Sequence, residues 1–191
     1  MATQTHFSLF HRFLHWTIAV AIFLALFTAF LHYGWMNGRA ISSTLTAALA
    51  EKNITLSSDD ARGIARKISR PMFQWHFYAG YVLTALLFLR FLDFFTKGRK
   101  FASPLSKEAN SKQKLQSWLY ILFYLALTIV LVMGLLLKFG PHNDLHEIFE
   151  TIHIYCGYFI GIFVILHIIG IWLGENAEDK GIVSKMINGK E

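Results

Sequence analysis

His153 and His167 stand inside a long apolar stretch, Leu145 to Trp172, with the sequence LHEIFETIHIYCGYFIGIFVILHIIGIW. Fourteen residues separate them. That is about 21 Å of helical rise with about 40° of angular drift, so both imidazoles leave nearly the same face at different depths. Polar groups inside a membrane span are costly and normally face a protein interior with a partner. Two further histidines, His15 and His76, lie just inside other apolar runs. Imidazole is the metal ligand this chain has in supply, with nine histidines against one cysteine. A lone Cys156 excludes an internal disulfide, a cysteine-pair metal site and the C-x-x-C-H attachment of c-type haem. It reads as a small packing residue.

The elements that must position these histidines follow from composition and run length. The chain has 191 residues, 54% hydrophobic and 16% charged, with 18 Phe and a positive mean hydropathy. That is too apolar for an ordinary soluble domain and fits a polytopic membrane protein. Four apolar runs, about 11–31, 72–95, 115–139 and 145–173, are long enough to span. The first is about 20 residues long and ends in HYGW with no small-residue cleavage site, so it reads as a retained span and not a signal peptide. The connection 34–71 contains ISSTLTAALAEK and SSDDARGIARKISR, which read as short amphipathic helices too polar to span. Ser57 or Ser58 is placed to cap the second, with Asp59 and Asp60 in its first turn. The loop 96–114 is polar and basic, and GIVSKMINGK at the end is placed to lie on the membrane surface through Ile182, Val183, Met186 and Ile187. The expected architecture is all-α, one domain, a bundle of four transmembrane helices.

Four spans put both termini on one side. Eleven of the eighteen Lys and Arg residues fall on that side, which by the positive-inside rule makes it the cytoplasm. The 34–71 loop is then periplasmic and 96–114 cytoplasmic. Flanking basic residues also account for the net charge of +6 without nucleic acid. No Gly-rich phosphate loop, dinucleotide fingerprint or nucleophile elbow is present. Any chemistry sits within the membrane or comes from a partner.

With this topology the histidines fall into two depth-matched pairs, His15 with His167 and His76 with His153. The third span contributes none. Two bis-imidazole haems suit the arrangement, because a low-spin electron-carrying iron takes two axial ligands and keeps no open position. Gly80 follows His76 by four residues and Gly157 follows His153 by four, so each leaves room for a flat macrocycle on its histidine's face. Arg90, fourteen residues after His76, and Arg12, three before His15, are placed to bind haem propionates by charge-assisted hydrogen bonds, or for Arg12 a lipid phosphate. His11 and His146 share faces with the ligand histidines but lie nearer the membrane edge. His6, His32 and His142 read as surface residues. Gly134, Gly161 and Gly170 read as helix-packing positions, and Trp16, Trp75, Trp118 and Trp172 as an aromatic belt.

These residues resemble the bacterial di-haem b-type cytochromes of the cytochrome b-561 type. They also resemble the membrane cytochrome subunits of nickel-iron hydrogenase and formate dehydrogenase. The matching pieces are R-F-L-H-W from Arg12, H-F-Y-A-G from His76, L-R-F at Leu89 to Phe91, H-I-Y-C-G from His153 and L-H at Leu166 and His167. The resemblance covers all four spans but not the long first loop. It implies a four-helix bundle in the bacterial inner membrane holding two haems b. The inner haem would take His15 and His167, and the outer haem His76 and His153. The implied activity is electron transfer between a periplasmic redox subunit or c-type cytochrome and the quinone pool. The segment Asn110 to Lys114 is similar to the formate dehydrogenase subunit's loop beside its quinone pocket, which makes Asn110 and Gln113 candidate quinone contacts. The C-terminal ten residues are similar to that subunit's tail.

The leading expectation is therefore an electron-transfer subunit of an oxidoreductase complex, with no catalytic residue of its own and the first loop as a candidate docking surface. A self-contained superoxide:quinone oxidoreductase of the same fold is the nearest rival. A haem-free histidine-based metal transporter predicts carboxylates along a path, yet Asp93 and Glu150 both lie near span ends. Membrane lipid is an expected partner, and a homo-oligomer is compatible with the sequence.

Overall fold

Length and apolarity dictate long helices, because only internally hydrogen-bonded backbone is tolerated in hydrocarbon. The computed structural model describes residues 8–96, 105, 110–140, 144–176 and 181–189. His6, His142 and most of the loop 96–114 lie outside these residues. Six helices run in the order α1 (Leu9–Tyr33), α2 (Gly38–Ala50), α3 (Ser58–Thr96), α4 (Ser111–Phe139), α5 (His146–Asn176) and α6 (Ile182–Asn188). No strand occurs among the described residues. Helices α1, α3, α4 and α5 are long and apolar enough to cross a membrane. Their outer faces carry large exposed apolar side chains, such as Phe23, Phe88, Leu125 and Ile165. A water-soluble protein would bury such faces; a bilayer solvates them.

The α3 helix departs from the expected boundaries. The sequence places a short amphipathic helix up to Arg70 and a separate span from Met72, with Pro71 between them. The structure makes Ser58–Thr96 one helix of 39 residues with Pro71 inside it. Proline removes one ladder hydrogen bond and normally breaks a helix. Here the affected carbonyl belongs to Lys67, which is exposed and open to water. On the polar extension Ala61, Ala65, Ser69 and Met72 are buried along one face, and that packing carries the helix through the proline. Ser57 is the cap: its hydroxyl accepts from the Asp60 N–H at 3.1 Å and donates to the Asp60 carboxylate at 2.6 Å. Both Asp59 and Asp60 sit where the helix dipole favours them.

Internal packing divides the chain into two compact units, Met1–Ile18 with Thr84–Glu191, and Ala19–Leu83. In the first, α4 and α5 pack through Phe123 stacked on Phe163, centroids 4.3 Å apart. Helix α6 belongs to the same unit and is held at both ends. The Glu175 carboxylate accepts from the N–H groups of Gly181 at 2.9 Å and Val183 at 3.3 Å. At the other end Arg12 Nη1 donates to the Ile187 carbonyl at 2.7 Å and Trp16 Nε1 to the Met186 carbonyl at 3.2 Å. An acid at the N-terminus and a cation at the C-terminus both match the helix dipole. Gly189 closes the helix with φ +73°, and a Cβ there would come within 2.9 Å of Arg12 Cζ. Two demands thus converge on glycine.

Removing the Glu175 carboxylate leaves two helix-start N–H groups uncapped, a loss of about 1 kcal/mol. Glu175→Ala is expected to speed amide exchange across 185–189 roughly fivefold while α4 and α5 amides stay unchanged. Hydrogen-exchange mass spectrometry reads this directly.

Candidate metal-ligating histidines

His15 and His167 meet within the first unit. Their ring centroids are 6.2 Å apart with planes inclined by 58°. A metal held between two imidazoles needs centroids roughly 6 Å apart, from metal–nitrogen bonds of about 2 Å plus each ring's radius. Among the described residues neither ring makes a hydrogen bond. Phe163, one turn before His167, stacks on its ring at 5.8 Å and 10°, fixing the plane. Trp16 meets His15 edge-on at 5.5 Å.

His76 and His153 are held differently, each within its own unit. His153 Nδ1 donates to the Val130 carbonyl of α4 at 2.8 Å. His76 Nδ1 donates to the Ala25 carbonyl of α1 at 3.2 Å and lies 2.9 Å from Thr28 Oγ1. The Thr28 hydroxyl directs its own proton to the Leu24 or Ala25 carbonyl. A carbonyl only accepts, so Nδ1 carries the proton in both histidines and the lone pair is at Nε2. Such second-shell bonding to Nδ1 fixes tautomer and ring orientation in metal-binding histidines.

Gly134 was not singled out by sequence as a site residue, only as a packing position. A Cβ there would lie 3.0 Å from His153 Cε1, so α4 has no side chain where the His153 ring must lie. Its spacing gave no signal, because its partner is on another helix. At Gly80 and Gly157 a Cβ would meet nothing within 4 Å, although both residues are half-buried. Space beside each of these histidine-bearing faces is therefore open.

Several expected site residues have protein partners. Arg90 Nη1 donates to His11 Nδ1 at 2.8 Å and its Nε to Tyr124 Oη at 3.3 Å. This holds His11 in a polar cluster with α3 and α4. Arg12 clamps α6 through Nη1, while its Nε is buried without a hydrogen-bond partner. Asn110 and Gln113 form a capping box at the start of α4. The Gln113 N–H donates to Asn110 Oδ1 at 2.8 Å, and the Asn110 N–H to Gln113 Oε1 at 3.1 Å. Both side-chain oxygens serve the helix end, a sufficient local reason for these two residues. Among the described residues no cluster of three or more His, Cys, Asp or Glu side chains could hold a bare metal ion.

The family profile described as prokaryotic cytochrome b561 matches residues 6–189. No curated protein and no solved structure matches the chain.

Gly134→Ala forces the His153 ring to give way and is expected to destabilise by about 1–3 kcal/mol. Gly161→Ala, where a Cβ meets nothing within 4 Å, serves as the neutral control. Thermal unfolding in detergent, followed by circular dichroism, separates the two.

Proposed function

The chain belongs to the prokaryotic cytochrome b561 family, and from that membership we propose a di-haem electron carrier linking a periplasmic redox partner to the quinone pool. It is a multi-pass membrane b-type cytochrome of electron transfer. In our reading it lies in the inner membrane with both termini cytoplasmic, and acts as the membrane subunit of an oxidoreductase complex. The observation that carries the haem assignment is the His15–His167 pair, 6.2 Å between centroids with no hydrogen bond to either ring among the described residues.

Bound haem supplies a one-electron iron couple. His15 and His167 would hold the iron of the first haem, and as two imidazole ligands they suit electron transfer over substrate binding. His76 and His153 are assigned to the second haem by their matching depth in the sequence. Ala25, Thr28 and Val130 hold those two rings with Nε2 as the donor atom. A Cβ at Gly80 or at Gly157 would meet nothing within 4 Å, which leaves room on the His76 face of one helix and on the His153 face of the other. Arg12, with an unpartnered buried Nε, is the propionate-binding residue of the first haem. Arg90, already bonded to His11 and Tyr124, extends that charge-bearing wall. Quinone contact by Asn110 and Gln113 would draw on groups other than the oxygens used in the capping box.

The partner's chemistry follows from the polar extension of α3. Arg62, Arg66, Lys67 and Arg70 are all exposed there; Arg62 pairs with Asp59 at 2.6 Å, and the other three make no ion pair among the described residues. Arg70 precedes His76 by six residues, about 9 Å along the helix. A cationic surface so placed steers an acidic redox protein towards the second haem.

Purified protein should show two haems b per chain in pyridine haemochrome and reduced-minus-oxidised spectra; a haem-free protein sinks the proposal. His76→Ala should lose the second haem and keep the first, whereas loss of the first refutes the pairing. Neutralising Arg66, Lys67 and Arg70 to Gln together should slow stopped-flow electron exchange with an acidic c-type cytochrome about tenfold at low ionic strength. Exchange with a basic c-type cytochrome should not slow. A sensitivity to anionic lipid in place of acidic protein would make the stripe a membrane contact.

A further inference from the structure

Two buried side-chain polar atoms among the described residues lack a hydrogen-bond partner, Arg12 Nε and His32 Nδ1. An unsatisfied buried polar atom costs about 1–3 kcal/mol, so each calls for an explanation. Arg12 lies three residues before His15, at the edge of the first haem site. His32 reads from sequence as a surface histidine, and the structure leaves it half-buried near the end of α1. Its Nδ1 is sealed from solvent, with the ring against Phe73 at a centroid distance of 4.8 Å.

Its place in the second unit is specific. His32 follows Thr28 by four residues on α1, and Phe73 precedes His76 by three on α3. Thr28 touches His76, and His32 touches Phe73. The two contacts are successive rungs between the same two helices. The second rung is one helical turn, about 6 Å, further along α1. We propose that His32 Nδ1 is the hydrogen-bond donor to a carboxylate of the haem held by His76. A porphyrin brings two carboxylates on one edge, and the end of the site facing the aqueous side is where a membrane protein places charge. Two aromatic rings lie against the His32 ring, Phe73 and Tyr33, with centroids 4.8 Å and 5.2 Å away and planes inclined by 59° and 58°. A carboxylate there completes the donor and is itself partly neutralised.

The inference rests on the assignment of a haem to His76, and its test separates the two. Wild type, His32→Leu and His32→Gln are compared for haem content, by redox titration of each haem, and by the propionate bands of the resonance Raman spectrum. Each is also reconstituted with protohaem dimethyl ester, in which both carboxylates are blocked. Retention of two haems in both variants is expected. With protohaem, His32→Leu should lower the midpoint potential of the second haem alone and shift its propionate bands, because the carboxylate charge is no longer offset. His32→Gln, which keeps a donor, should restore most of both. With the ester the three proteins should titrate alike. Unchanged potentials and bands in both variants with protohaem would overturn the proposal. So would an equal shift with the ester, which would mean a packing effect, or a shift that depends on added acetate, which would mean a free anion. A wild type lacking haem at the His76 level defeats the underlying assignment instead, and haem content alone reports it.

Discussion

A histidine in hydrocarbon has no water to complete its hydrogen bonding, and every functional feature of this chain follows from how that need is met. Helix backbone cannot spare its N–H groups, but each carbonyl retains a second lone pair after serving the ladder. His153 takes the Val130 carbonyl in this way, and His76 that of Ala25. Each such bond uses Nδ1 and fixes the tautomer, so the constraint that makes a membrane histidine expensive also orients its ring in the way metal-binding histidines are oriented. The His15–His167 pair answers the need differently. The two ring centroids lie 6.2 Å apart, a separation that a shared metal would fill.

The packing around these rings is subordinate to that requirement. Glycine at 134 exists because the His153 ring occupies the place of a side chain. Phe163 stacks on His167 and is itself stacked on Phe123, so the ligand plane is carried into the α4–α5 contact. Arg90 ties His11 to Tyr124 across three helices of one unit. Displacing any of these apolar or polar supports would disturb ring orientation before it disturbed the helices.

Much of this was legible in the sequence, for identifiable reasons. The four spans were readable because twenty-residue apolar runs have few alternatives, and the histidines within them because a polar residue at that depth is conspicuous. Period and spacing relate residues on one helix, so His153 and His167, or His76 and Gly80, could be placed on common faces. Contacts between helices have no such period. That is why Gly134, Thr28 and Phe163 gave no functional signal, and why Arg12 and Arg90 were read only as anion-binding residues. Arg12 also clamps the carbonyl end of α6, and Arg90 bonds His11 and Tyr124. Asn110 and Gln113 show the reverse case. An N-x-x-Q start is a local capping pattern, and the family likeness drew attention away from it. At Pro71 the local rule for proline was outvoted by the buried face of Ala61, Ala65, Ser69 and Met72.

Helix α6 joins the two kinds of evidence, local and tertiary. Its seven residues are too few to hold as an isolated helix. It persists because Glu175 caps one end and Arg12 the other, with Trp16 beside it. The residues that receive it flank His15 in sequence, so helix α6 is anchored beside one of the candidate ligands. Arg12 therefore presents two separate parts of one guanidinium. Nη1 is committed to Ile187, and Nε remains buried and unpartnered. Binding of an anion at Nε and docking of α6 at Nη1 are then mutually reinforcing, since each holds the guanidinium in the plane the other needs.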